Sequence, residues 1–227
     1  MDVLEEIYKI IYSFKIDKKF WSTTSLSGDD YNLRSKAGPY IKKTIEIAKI
    51  MNLRTFVEIG STRFAVTQKC LDYFDNPHPF DSPDCCGDGH ACFFWAEQGF
   101  ETYTIDIDPN CLTQIKWSYG HFNKNIPENL HPFIPMDGVE FLHNFNKKID
   151  ILYLDGWDIG TENYAENHLE AFLAAKPKLS KNHLICIDDT DFLGDAGGKD
   201  KLLTPFLLEN KYIPLFNGRQ TLFIKYE

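Results

Sequence analysis

Five short apolar runs, each followed by a turn and a stretch of helical periodicity, dictate the architecture open to this chain. They are TFVEIG (55–60), ETYTIDID (101–108), HPFIPMD (131–137), IDILYLDG (149–156) and HLICIDDT (183–190). The helical spacing between them is clearest in ENHLEAFLAAKPKL, with Leu169, Phe172, Leu173 and Ala175. Strands alternating with helices in this way predict a parallel sheet with helices on both faces. The C-terminal KYIPLFNGRQTLFIKY breaks the alternation. Its two β-rich runs flank Asn217-Gly218, a pair that favours a tight hairpin turn, so the last two strands are expected to be antiparallel. The expected fold is α/β, a Rossmann-like mixed sheet that is mostly parallel and closed by a C-terminal antiparallel hairpin.

In an open sheet of this kind, ligands bind beyond the carboxyl ends of the strands, where strand order reverses. Those ends read Glu58-Ile59-Gly60-Ser61, Asp106-Ile107-Asp108-Pro109, Met136-Asp137-Gly138, Asp155-Gly156-Trp157-Asp158 and Asp188-Asp189-Thr190. Each carries a carboxylate, which favours one shared site over a scatter of solvated loops. An acid at the end of the second strand can take both hydroxyls of a ribose, so Asp106 is assigned there. Asp108, before Pro109, fits a helix N-cap. Asp137, or the backbone at Gly138, is placed to meet an adenine amino group. Trp157 is placed to stack on the ring, with Glu58, Gly60, Ser61, Ile107 and Asp155 completing the cofactor set.

Composition narrows the partners. The net charge is −9, and no Lys/Arg cluster suited to tracking phosphates is present, so nucleic acid is a poor expectation. No run approaches the ~18 apolar residues of a membrane span. The opening MDVLEEIYKIIYSFKI has acids in its first turns and Val3, Leu4, Ile7, Ile10, Ile11 and Phe14 at helical spacing. It reads as an amphipathic helix rather than a signal peptide. Six cysteines without a leader point to reduced thiols and a cytoplasmic location. Residues 1–50 are read as a helical cover segment, with the polar stretch 17–38 and a helix over about 39–51, and residues 51–227 as the main domain.

The motifs VEIGS, YTIDIDP, PMDGVEFL, LYLDGWD and ICIDDT, in that order, resemble those of the class I S-adenosylmethionine-dependent methyltransferases. The last two are most similar to the metal-dependent O-methyltransferases, the group of the catechol and macrolide-sugar enzymes. The resemblance covers roughly residues 50–227 and implies a seven-stranded sheet. It also implies S-adenosylmethionine as cofactor, and Mg²⁺ or another divalent cation held by Asp155, Asp188 and Asp189, with Thr190 a weaker candidate. A bound cation would acidify an acceptor hydroxyl and leave alignment as the main remaining task. Where that group often has a Lys or His base, this chain has Asp158. Asp158 is therefore the candidate base, a fourth metal ligand or a plain loop acid, with His90 and His168 as rivals for the base.

The family's glycine loop after the first strand is missing here, since STRFAV follows Gly60. The ribose acid normally lies about 20 residues beyond that loop, and Asp106 lies about 19 beyond Gly87. Residues 61–86 are therefore read as an inserted excursion, with Gly87, Asp88, Gly89 and His90 restoring the cofactor loop and ACFFWAEQ (91–98) as its helix. The stretch CCGDGHAC keeps a second reading open: His78, Cys85, Cys86, His90 and Cys92 as zinc ligands, although their spacing departs from the usual pattern. Gly197-Gly198-Lys199-Asp200-Lys201 reads as an anion-binding loop before a helix over 199–210, or as a plain connector.

The expected activity is methyl transfer from S-adenosylmethionine to a hydroxyl of a small molecule, a sugar or natural product. The alternative is a non-catalytic protein on the same fold, with the excursion binding zinc or a partner. A different reaction on this scaffold and a homo-oligomer both stay open.

Overall fold

The first strand, β1 (Thr55–Ile59), sends Phe56 and Glu58 to one face and Val57 and Ile59 to the other, and all four are buried. The same two-residue alternation runs through β4 (Ile149–Leu154), β5 (Leu179–Ile187) and β7 (Thr221–Lys225). Ile151, Tyr153, Leu184, Cys186 and Leu222 share the core of Phe56, while Leu152, Leu154, Ile185, Ile187 and Phe223 share that of Val57. Strands buried on both faces belong inside a covered sheet.

The computed structural model describes residues 2–13, 38–68, 70, 71, 90–191 and 197–227. With β2 (Glu101–Ile105), β3 (Leu130–Phe133) and β6 (Ile213–Phe216), the strands form one seven-stranded sheet in the order β3-β2-β1-β4-β5-β7-β6. The first five strands in that order pair parallel, and β7 pairs antiparallel with both β5 and β6. The expected mixed sheet and closing hairpin are both present. The hairpin turn, however, spans residues 217–220 rather than a tight two-residue loop, and the longer turn delivers Arg219 to the end of β5.

One layer holds α1 (Val3–Ser13), α2 (Gly38–Ile50), α3 (Ala91–Glu97) and α4 (Asn110–His121). The other holds α5 (Gly138–Asn144), α6 (Tyr164–Ala175) and α7 (Leu203–Glu209). Helix α3 is buried along most of its length, and Trp95 stacks on Phe56 with ring centroids 4.5 Å apart. Two expected spans are shorter than read from sequence. β3 stops at Phe133, because Pro135 has no N–H for a ladder. Helix α7 begins at Leu203, because residues 199–202 are drawn into turns against β5. No helix among the described residues is long and apolar enough to cross a membrane.

The register puts Ile59 opposite Ile105 and Leu154, and Leu154 opposite Ile187. The next residues, Gly60, Asp106, Asp155 and Asp188, therefore stand in one row along the sheet edge.

Candidate functional site

The edge is knit beyond the strands themselves. The Gly60 N–H donates to Ile105 O at 2.8 Å, Asp155 N–H to Ile59 O at 2.8 Å, and Asp188 N–H to Leu154 O at 3.0 Å. The chains come so close that a Cβ on Gly60, whose φ is +94°, would lie 2.5 Å from the Asp155 carbonyl carbon. A cleft of about 510 Å³ opens here, at the β1/β4 reversal of strand order.

Most of the residues expected at the cofactor line this cleft: Gly60, Ser61, Asp106, Ile107, Asp137, Gly138, Asp155 and Trp157. Asp106 is fixed by two backbone donors, Ser61 N–H to Oδ2 and Asp108 N–H to Oδ1, both at 2.8 Å. Each carboxylate oxygen keeps a further lone pair for a ligand hydroxyl. Asp108 Oδ1 accepts from Asn110 N–H at 2.9 Å, so it caps the first turn of α4, although Pro109 is the residue at the N-cap position itself. Asp137 is an N-cap too, its Oδ1 accepting from Glu140 N–H at 2.8 Å, which leaves the Gly138 backbone as the closer fit to an adenine edge. Ile107 is 72% exposed on the cleft, an apolar surface that a flat ring would cover. Trp157 adopts φ +44° and meets the His168 ring edge-on at 5.3 Å. A bulky residue in the left-handed region is rare and marks a backbone held by its surroundings.

Across the cleft, ligand atoms of Asp155, Asp188 and Asp189 lie within 4.8 Å of one another, as the expected metal site requires. The structure adds two cations that sequence reading missed. Lys199 Nζ is 2.6 Å from Asp155 Oδ1 and 3.0 Å from Asp189 Oδ2. Arg219 Nη1 is 2.5 Å from Asp189 Oδ1, and its Nε is 3.5 Å from Asp188 Oδ1. Burial works against the Lys199 charge, but Asp155 and Asp189 outweigh it and raise its pKa. Burial likewise pushes Asp189 up, and Arg219 with Lys199 more than reverses this, holding it below its ordinary range. Asp188 meets Arg219 Nε at 3.5 Å without a hydrogen bond, and burial drives its carboxyl well above the usual range. The glycine-rich loop, read from sequence as an anion-binding loop or a plain connector, brings an ammonium to two of these carboxylates.

No family model and no curated sequence matches the chain. Solved structures do match in shape. An S-adenosylhomocysteine-bound methyltransferase of Podospora anserina aligns over 100% of this chain and 88% of its own, with TM-score 0.55 and 14% identity. A Staphylococcus aureus protein named as a caffeoyl-CoA O-methyltransferase aligns over 98% and 97%, with TM-score 0.54 and 10% identity. The S-adenosylmethionine-bound magnesium protoporphyrin IX methyltransferase of Synechocystis aligns over 100% and 98%, with TM-score 0.52 and 12% identity. The chain has the Rossmann-like methyltransferase fold.

Within that fold, the candidate bases separate. Asp158 lines the cleft, where Arg63 Nη2 sits 2.7 Å from its Oδ1. His90 is buried at the start of α3, 3.0 Å through Nε2 from Phe64 O, and is not on the cleft wall. His168 is buried in α6, its Nδ1–H donating to Tyr164 O at 2.6 Å, and burial lowers its pKa to about 4. Neither histidine is among the residues that line the cleft. Glu58 is also off the cleft wall. It is fully buried, and Thr104 Oγ1 links it (2.6 Å) to Ser61 (2.8 Å), supporting the loop from behind. Gly87, Asp88, Gly89, His78, Cys85 and Cys86 lie outside the described residues. Cys92 is buried beside Glu58 and the α3 aromatics.

The His168 environment carries a pH prediction. Its folded pKa lies below the unfolded value of ~6.5, so its contribution to stability is full above that value and is lost as pH falls toward 4. Urea melts of wild type and His168→Phe should show a drop from pH 7.5 to pH 5 that is about 2 kcal/mol smaller in the variant. Equal drops would mean that His168 is not the group titrating in that window.

Proposed function

We propose that this protein is an S-adenosylmethionine-dependent methyltransferase acting on a hydroxyl of a small molecule, a sugar or natural product. The observation that carries the reading is the cleft at the β1/β4 reversal, with the doubly anchored Asp106 on one side and Gly60 packed against Asp155 on the other. The cofactor supplies an electrophilic methyl carbon on a sulfonium. Asp106 takes the ribose hydroxyls, the Gly138 backbone and Trp157 hold the adenine, and Gly87, Asp88 and Gly89 complete the loop after the 61–86 excursion. Asp158 is the residue that would take the proton of the acceptor hydroxyl when bound S-adenosylmethionine supplies the methyl group. The segment 1–50 forms part of the acceptor cover.

The charge of the cleft supports a neutral or cationic acceptor. Among the described residues, its walls carry Asp106, Asp108, Asp137, Asp155, Asp158, Glu162 and Asp189 against Arg63 and Lys199 as cations. Such a field attracts a sulfonium and repels phosphates, so nucleic acid stays disfavoured. The cofactor fits these donors. A divalent cation at Asp155, Asp188 and Asp189 fits less well, because Lys199 and Arg219 are already seated on Asp155 Oδ1 and on both oxygens of Asp189.

Calorimetric titration with S-adenosylhomocysteine should give one micromolar site. Asp106→Asn should weaken it at least ~10-fold, about 1.4 kcal/mol. No heat with either the methyl donor or its product sinks the reading. The Arg63 pairing of Asp158 favours a second reading, a non-catalytic binder on this fold. Cofactor binding without turnover across a broad hydroxyl panel would select it.

A further inference from the structure

The ammonium of Lys199 is fully coordinated by protein. Its three N–H donors have three partners: Asp155 Oδ1 at 2.6 Å, Asp155 O at 3.0 Å and Asp189 Oδ2 at 3.0 Å. Its side chain is 2% exposed. The backbone is shaped to put it there. Lys199 N–H donates to Asp189 O at 3.2 Å, and a Cβ on the preceding Gly198 would lie 2.9 Å from both Asp189 O and Thr190 Cα. A second segment delivers the second cation. Thr190 N–H donates to Arg219 O at 3.1 Å, and Thr190 Oγ1 donates to Gly218 O at 2.7 Å, so the β6–β7 turn is tied to the end of β5. Two independent loops thus converge on one acid cluster, each with a positive side chain.

We propose that the cation of this site is built into the chain: Lys199, backed by Arg219, occupies the position a divalent ion would take, and the site works without metal. Lys199 is a positioning residue. With all three donors used, it holds the ends of β4 and β5 together and leaves no proton for an acceptor. The metal-free activity rests on the methyltransferase reading, whereas exclusion of the ion rests on the side-chain geometry alone.

The test uses Mn²⁺ as probe, read by the electron paramagnetic resonance signal of the free ion. Wild type and Lys199→Arg should leave Mn²⁺ free, and Lys199→Met should bind one equivalent at least ~10-fold more tightly. One equivalent bound by wild type, no more weakly than by Lys199→Met, overturns the proposal. Should Lys199→Met fail to fold, the wild-type titration decides: free Mn²⁺ upholds the proposal and a bound equivalent overturns it. A parallel titration with S-adenosylhomocysteine keeps the two readings apart. Its failure removes the methyltransferase assignment, while the Mn²⁺ result still judges Lys199.

Discussion

Lys199→Met is expected to lower the free energy of unfolding by about 3–5 kcal/mol, with millimolar Mg²⁺ restoring a part of the loss. Removing one partner of a buried ion pair costs that much because the other charge is left without compensation. Here two carboxylates lose the same ammonium, Asp155 at 2.6 Å and Asp189 at 3.0 Å. Arg219 remains on Asp189 but does not reach Asp155 in the present arrangement. The vacated position is then a cluster of oxygens with excess negative charge, which is what a hard divalent ion seeks. An ion that binds the folded state at 100 times its dissociation constant adds about 2.7 kcal/mol. Urea melts of wild type and variant, each with and without Mg²⁺, check both parts. Wild type should not respond to the ion. A variant as stable as wild type would mean that the ammonium does not compensate these carboxylates.

How far the sequence could be read depended on whether a feature is local. The strands were legible because Phe56, Val57, Glu58 and Ile59 alternate within one element, and burial on both faces follows from their apolar run. The row of acids was legible for a similar reason. A parallel register carries residues that end equivalent strands to the same edge, so Asp106, Asp155 and Asp188 needed only their strands to be recognised. Lys199 and Arg219 are different. Each sits in a turn outside the strands, and its partner is set by how that turn folds back on β5. The local signal was Gly197-Gly198 directly before Lys199-Asp200-Lys201, which sequence reading took as an anion loop or a plain connector. Asn217-Gly218 likewise marked the hairpin but gave no hint that its next residue faces Asp188. The histidines show a related limit: their residue type suggested a base, while their burial and backbone partners are invisible in sequence.

Gly60→Ala should be as damaging as losing the buried lysine, at about 4 kcal/mol, and should abolish cofactor binding in whatever protein still folds. Two costs combine. The residue's φ of +94° lies where side chains are strained, by roughly 1–3 kcal/mol. The added methyl would also stand 2.5 Å from Asp155 C and 2.6 Å from Gly156 N, backbone atoms that cannot swing aside. Overpacking of this kind costs about 1–3 kcal/mol. Relief requires β1 and β4 to part at the bond between Asp155 N–H and Ile59 O, which moves the cleft floor. Gly99→Ala isolates the first cost from the second. Gly99 has φ +81° and nothing within 4 Å of an added Cβ, so its variant should lose only ~1 kcal/mol and bind S-adenosylhomocysteine as wild type does. Chemical denaturation and calorimetry on the pair measure the difference. Equal losses at the two glycines would show that backbone strain alone matters and that the close approach of β1 to β4 does not shape the site.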